Sequence, residues 1–175
     1  MIEWYVLHVH MDRETKIAEI LKKKLPAALY RPFVPEKESV FVRAGIAKIE
    51  KHICFPGYVF IESNTSAHEF IEKAGPVIRA MKEIHSTLSY DGKNDIALAE
   101  DEVAVFKKLL NKNDCIEVSR GNIVNGIAQV ESGPLVGMEE SIRRIRRPKK
   151  SAEIEILFRG EPRRINVGLE IISKS

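Results

Sequence analysis

The sequence predicts an α+β protein in two parts: a mostly antiparallel sheet with helices against it, then a very small β-barrel. Three observations carry that prediction. Residues 17–25 and 103–110 place apolar side chains at helical spacing. The run Phe55-Pro56-Gly57-Tyr58-Val59-Phe60-Ile61-Glu62 is the densest apolar, aromatic stretch of the chain, and a turn dipeptide opens it. From Gly126 to Ser175 there is no helical stripe, only short runs separated by turns.

In chain order, Glu3 to His10 alternates as a first strand, with Trp4, Val6, His8 and His10 on one face and Tyr5, Leu7 and Val9 on the other. Asp12 reads as an N-cap for a helix whose apolar face is Ile17, Ala18, Ile20, Leu21 and Leu25. Lys22, Lys23 and Lys24 suit its C-terminal dipole, and Pro26 ends it. Tyr30–Val34 and Ser39–Arg43 read as short strands, and 43–52 as a basic loop or loose hairpin tip. In the central strand Val59 and Ile61 face one side and Tyr58 and Phe60 the other, where a helix or a partner protein must cover them. Ser66 caps a short helix over 67–73, Gly75-Pro76 turns the chain, and Val77–Met81 reads as a strand. Residues 85–99 are polar and turn-rich. Glu100–Lys112 is a helix with Val103, Phe106, Leu109 and Leu110 inward. An Asn-rich linker over 112–125 then separates a first domain, 1–111, from a second, 126–175. There Ala152, Ile154, Ile156 and Phe158 alternate with Glu153 and Glu155, as in a half-buried barrel strand. Fifty residues are marginal alone, and closing a barrel removes exposed edges.

The chain carries 28 basic and 25 acidic residues, a formal +3, so position of charge says more than its sum. The first ten residues read as a strand rather than a signal peptide, and no apolar run approaches the ~20 residues that span a bilayer. Cys54 and Cys115 then fit reduced thiols in a cytoplasmic protein better than a bridge, although the sequence leaves pairing open. Nothing in the sequence supports catalysis. P-loop, HExxH and CxxC signatures are absent. His8-x-His10 is a possible metal pair without a third ligand, and a structural role is the commoner one.

The most concentrated charge is Arg143-Arg144-Ile145-Arg146-Arg147-Pro148-Lys149-Lys150, six basic residues in eight with no acid. Arg159, Arg163 and Arg164 add three on a nearby segment. Guanidinium groups bind phosphate bidentately and stack on bases, which points to RNA. The alternative is a solvated hairpin balanced by Glu139, Glu140, Glu153 and Glu155.

Trp4-Tyr5, the Phe55-Pro56-Gly57-Tyr58 run, and a tail pattern together carry a family resemblance. The tail reads Val130-x-x-Gly133-Pro134-Leu135-x-Gly137-x-Glu139, then Gly160 and Leu169-Glu170-Ile171-Ile172. In this order they resemble the NusG family of transcription elongation factors, over nearly the whole chain. Within it the chain resembles the specialised LoaP and UpxY/RfaH-type antiterminators. The resemblance implies an NGN domain at 1–111 and an SH3-like KOW barrel at 126–175. It also implies that an apolar NGN surface, here His8, Phe55, Tyr58 and Phe60, docks on the clamp helices of the largest catalytic RNA polymerase subunit. His8 stands where relatives often have an aromatic residue. His68, Lys73 and Arg79 are the matching candidates for the non-template DNA strand. The basic KOW residues would recognise an RNA hairpin in the nascent leader; in a general elongation factor the barrel would instead bind a ribosomal protein or Rho. The expected protein is a bacterial monomer without cofactor, metal or membrane attachment, promoting processive transcription of selected operons.

Overall fold

The computed structural model describes residues 2–85 and 97–175. In chain order the elements are β1 (Glu3–His8), α1 (Glu14–Lys24), β2 (Tyr30–Phe33), β3 (Glu36–Arg43), β4 (Ile46–Ile53), β5 (Tyr58–Ser63) and α2 (Ala67–Arg79). They continue with α3 (Glu100–Leu109), β6 (Cys115–Ile116), β7 (Ser119–Val124), β8 (Ile127–Ser132), β9 (Ile142–Arg146), β10 (Ser151–Phe158) and β11 (Glu161–Lys174). The fold is α+β, as the patterning predicts. The chain forms two compact units, Met1–Pro35 with Phe55–Ala99, and Glu36–Cys54 with Glu100–Ser175. This division differs from a boundary at 111: the β3–β4 ribbon and α3 group with the C-terminal segment, and the expected linker carries β6 and β7. No helix among the described residues is long and apolar enough to cross a membrane.

In the first unit β5 lies between β1 and β2, antiparallel to both. The pleat puts Tyr5 opposite Ile61 and Leu7 opposite Val59, and this face packs with Ile17, Leu21, Phe70, Ala74 and Ile78 of α1 and α2. Tyr5 stacks on Phe70 at 4.0 Å between ring centroids and donates its hydroxyl to Thr65 O at 2.6 Å. Burial pushes the Tyr5 phenol well above its ordinary value, so it stays protonated. On the other face Trp4, Phe33, Phe55 and Phe60 cluster, with Trp4–Phe33 at 5.0 Å and Phe33–Phe60 at 5.5 Å, and all four are buried. The sheet is therefore buried on both faces, which explains its nearly continuous apolar strands.

Three local expectations give way to stronger constraints. Asp12 is not a helix cap. It has φ +70°, and α1 begins at Glu14, whose carboxylate accepts from Asp12 N (3.0 Å) and Gly57 N (2.9 Å). Val77–Met81 is not a strand: α2 runs through Pro76 to Arg79, because Phe70, Ala74 and Ile78 recur every fourth residue on one buried stripe. That burial outweighs the one ladder hydrogen bond the proline removes. Ser66 does cap α2, its hydroxyl accepting from Glu69 N. Of the two readings of residues 43–52, the hairpin tip is the one found, and it is a fully paired ladder rather than a loose one, Arg43 opposite Ile46. Ala44 and Gly45 both have positive φ (53° and 76°), a two-residue turn whose twist matches the strands. Most of the turn-rich stretch at 85–99 lies outside the described residues.

The second unit holds a five-stranded sheet of order β8-β7-β11-β10-β9 and a three-stranded sheet of order β4-β3-β6. Ala152, Ile154, Ile156 and Phe158 alternate inward as predicted. Gly133 has φ +95°, and a Cβ there would lie 2.6 Å from Ser119 Cα, so the backbone can pass only as glycine. Ser119 Oγ in turn accepts from Leu135 N at 3.0 Å, which seats the Gly-Pro-Leu motif on β7. Phe106 of α3 meets Phe158 edge to face at 6.3 Å, and Glu102 accepts from Gly160 N at 2.9 Å.

Candidate nucleic-acid and partner-protein interfaces

β1 and β5 place His8 directly opposite Tyr58, with ring centroids 5.2 Å apart. His8 is exposed and Tyr58 half-buried. Phe55 and Phe60, grouped with them in the sequence reading, belong instead to the buried aromatic cluster, 5.9 Å from each other. That is a correction: Phe55 and Phe60 are buried and present no surface. His85 joins from the loop after α2, its ring 5.8 Å from His8 and 6.2 Å from His10. The sequence separation of His85 hid this partner. Among the described residues no group of His, Cys, Asp or Glu is arranged to hold a metal ion.

The α2 candidates carry their own counter-charges. His68 lies 3.9 Å from Glu72, and Lys73 is hydrogen-bonded to Glu69 at 2.6 Å. Arg79 lies back over Gly75. The Glu69 hydrogen bond and charge raise the Lys73 ammonium, holding it charged but occupied. Two carboxylates thus sit among three candidate cations, leaving a weakly charged helix face.

The basic cluster divides in two. Arg143 sits at a β-bulge in β9, where the register with β10 slips by one residue. Its guanidinium donates to Glu140 O (2.6 Å) and to Glu155 (3.3 Å). Arg164 pairs with Glu153 (3.0 Å) and Glu155 (3.3 Å), which raise its pKa further, and Lys150 pairs with Glu170 (3.3 Å). Arg163 caps the Phe158 ring at 5.2 Å. By contrast Arg144, Arg146, Arg147, Lys149 and Arg159 make no ion pair among the described residues. Arg144 and Arg146 alternate on one face of the edge strand β9, opposite Glu153 and Ser151. Arg147 and Lys149 follow in a short 3-10 turn, with Lys150 at φ +48°. The structure does not bring Arg159 and Arg163 to this group. Arg163 pairs opposite Ile156, three residues and roughly 10 Å along β10 from the partner of Arg144, and Arg159 follows the end of β10, roughly 20 Å along at strand rise. Glu153 and Glu155, set two apart on one strand face opposite Arg164, were the signal that part of the charge is internal.

Both thiols are free and buried. Burial pushes Cys54 up to about 12 and raises Cys115, so neither is a nucleophile at neutral pH.

Comparison with known proteins matches residues 2–107 to the family model described as Transcription termination factor nusG. The chain is 23% identical to a Transcription termination/antitermination protein NusG of Thermus thermophilus, with 99% of each covered. It is likewise 23% identical to the protein of that description from Xylella fastidiosa, with 100% of each covered. A solved structure titled Domain interaction in Thermotoga maritima NusG aligns with a TM-score of 0.49 at 18% identity, covering 98% of this chain and 94% of the other.

Proposed function

The chain belongs to the NusG family of transcription termination and antitermination factors, and we propose that it is a specialised member recruited by structured leader RNA. It is a transcription factor rather than an enzyme. The N-terminal part serves as the NGN domain, and the C-terminal part, where β7 joins β8–β11 in one sheet, as the KOW domain. The NGN part binds the clamp of RNA polymerase through His8 and Tyr58, while Phe55 and Phe60 are buried. Greater affinity for the elongating conformation shifts the polymerase population away from pausing and termination. The KOW part supplies recruitment by binding an RNA hairpin.

One observation carries this reading: Arg144, Arg146, Arg147 and Lys149 form a continuous group on and after an edge strand, with no ion pair among the described residues. This group contrasts with Arg164, Glu153 and Glu155, which neutralise one another. Unneutralised guanidinium groups on a strand edge match the backbone of a folded RNA. The non-template strand is a weaker assignment, because His68 and Lys73 are committed to Glu72 and Glu69. The test is co-purification of the full chain with bacterial RNA polymerase, run beside RNA binding. His8→Ala with Tyr58→Ala removes polymerase and leaves RNA affinity unchanged. Undiminished polymerase capture by that variant contradicts the docking assignment.

A further inference from the structure

Each strand of the five-stranded sheet has two neighbours in it except β8 and β9. Both edge strands line one groove of about 590 Å3, within the size range of small-molecule sites. Its apolar lining includes Ile127 and Ala128 from β8, and Ile142 and Ile145 from β9. Ile127 is 67% exposed, so the groove is open to solvent rather than sealed by the fold. Arg143, Arg144 and Lys174 bring positive charge to it. Two carboxylates, Glu139 and Glu140, also line it. Glu139 is fixed there, its Oε1 accepting from Val130 N (3.3 Å) and Gly137 N (3.4 Å). Its own backbone N–H, and then those of Val130 and Gly137, hold its carboxyl below the ordinary range.

A nucleotide matches this combination part for part. Its base has two apolar faces, its edge carries an exocyclic amino donor in adenine and cytosine but not in uracil, and its phosphate is anionic. The groove is also continuous with the unpaired group beyond β9, since Arg144 belongs to both. We propose that the open seam between β8 and β9 receives unpaired loop bases of the bound RNA. The isoleucines lie against the base faces, Arg144 and Lys174 meet the backbone phosphates, and Glu140 accepts from the amino edge. This assignment rests on the RNA reading above and adds loop selectivity to it.

The test uses the full chain and hairpins with one common stem and loops of only cytidine, only adenosine or only uridine. Cytidine and adenosine loops bind about tenfold more tightly than uridine loops, the effect of one hydrogen bond to a charged acceptor. Ala128→Phe fills the groove, weakens cytidine and adenosine loops most, and so erases their preference over uridine loops. Glu140→Gln, at an exposed position, narrows the preference even if the groove-filling variant fails to fold. Lys149→Ala, away from the groove, weakens all three hairpins equally. Equal affinity for the three loops overturns the groove assignment and leaves hairpin recognition standing. No affinity for any hairpin overturns both. Backbone amide shifts at Ile127 and Ala128 that respond to an extended valine–lysine peptide but not to the hairpins assign the groove to a protein and overturn the proposal.

Discussion

Glu14 is an acidic residue in the first turn of a helix, and it is buried. Its carboxylate bridges Asp12 N and Gly57 N, so it ties the start of α1 to the turn before β5. Glu14→Ala strands both amides and costs about 2 kcal/mol by urea unfolding. Tyr5→Phe keeps the stack on Phe70 but leaves Thr65 O without its donor, a loss of about 1 kcal/mol. These two residues mark how far single positions can be read from sequence. Tyr5 was placed on the correct strand face by alternation alone. Glu14 was not legible, because a carboxylate at a helix start reads as a solvated dipole partner, and only the fold brings Gly57 beside it. Phe55 and Phe60 failed for the converse reason: an aromatic on the second face of a strand reads as a surface until Trp4 and Phe33 are seen against it.

At the scale of elements, strands and helices with strong periodicity were legible, and their ends were decided by turns. The ribbon β3–β4 was legible only as one strand and a loop or loose hairpin tip, because Ala44 is an uncommon residue at a left-handed position, where asparagine is usual. Ala44→Asn therefore stabilises the ribbon by about 0.5–1 kcal/mol, read as a rise in the unfolding midpoint. An unchanged or lower midpoint contradicts the turn assignment. Helix α2 ran past Gly75-Pro76 because the fourfold spacing of Phe70, Ala74 and Ile78 is a long-range packing demand that local turn propensity cannot report. The basic strand β9 was legible as charge, but its neutralisation was not, because Glu155 reaches both Arg143 and Arg164 only through the register of three strands.

At the scale of the whole molecule, electrostatics links stability to acidity. Glu83 is held below its ordinary 4.5 by the Arg13 hydrogen bond, and Glu139 by backbone N–H groups. A depressed carboxyl contributes stability that is present above its unfolded pKa and is lost as pH falls through the folded one. Stability therefore declines below the ordinary 4.5, and the Glu83→Gln, Glu139→Gln double variant loses less than the wild type on going from neutral pH to about pH 3. The same bookkeeping of charge governs RNA. Glu155→Gln removes the ion pair of Arg143 and leaves Arg164 with Glu153 alone, so it raises hairpin affinity severalfold and steepens its salt dependence. A variant that binds RNA no better places the paired arginines outside the interface.

Recruitment by RNA is the central claim, and a salt titration of full-chain binding to hairpin, unstructured RNA and duplex DNA tests it most directly. The account predicts hairpin-selective binding that survives moderate salt, that Arg144→Ala and Arg147→Ala each weaken, and that Arg159→Ala leaves unchanged. Weak binding that ignores structure and disappears with salt would contradict it, leaving Arg144 to Lys149 as a nonspecific surface and assigning recruitment to DNA or to a protein partner.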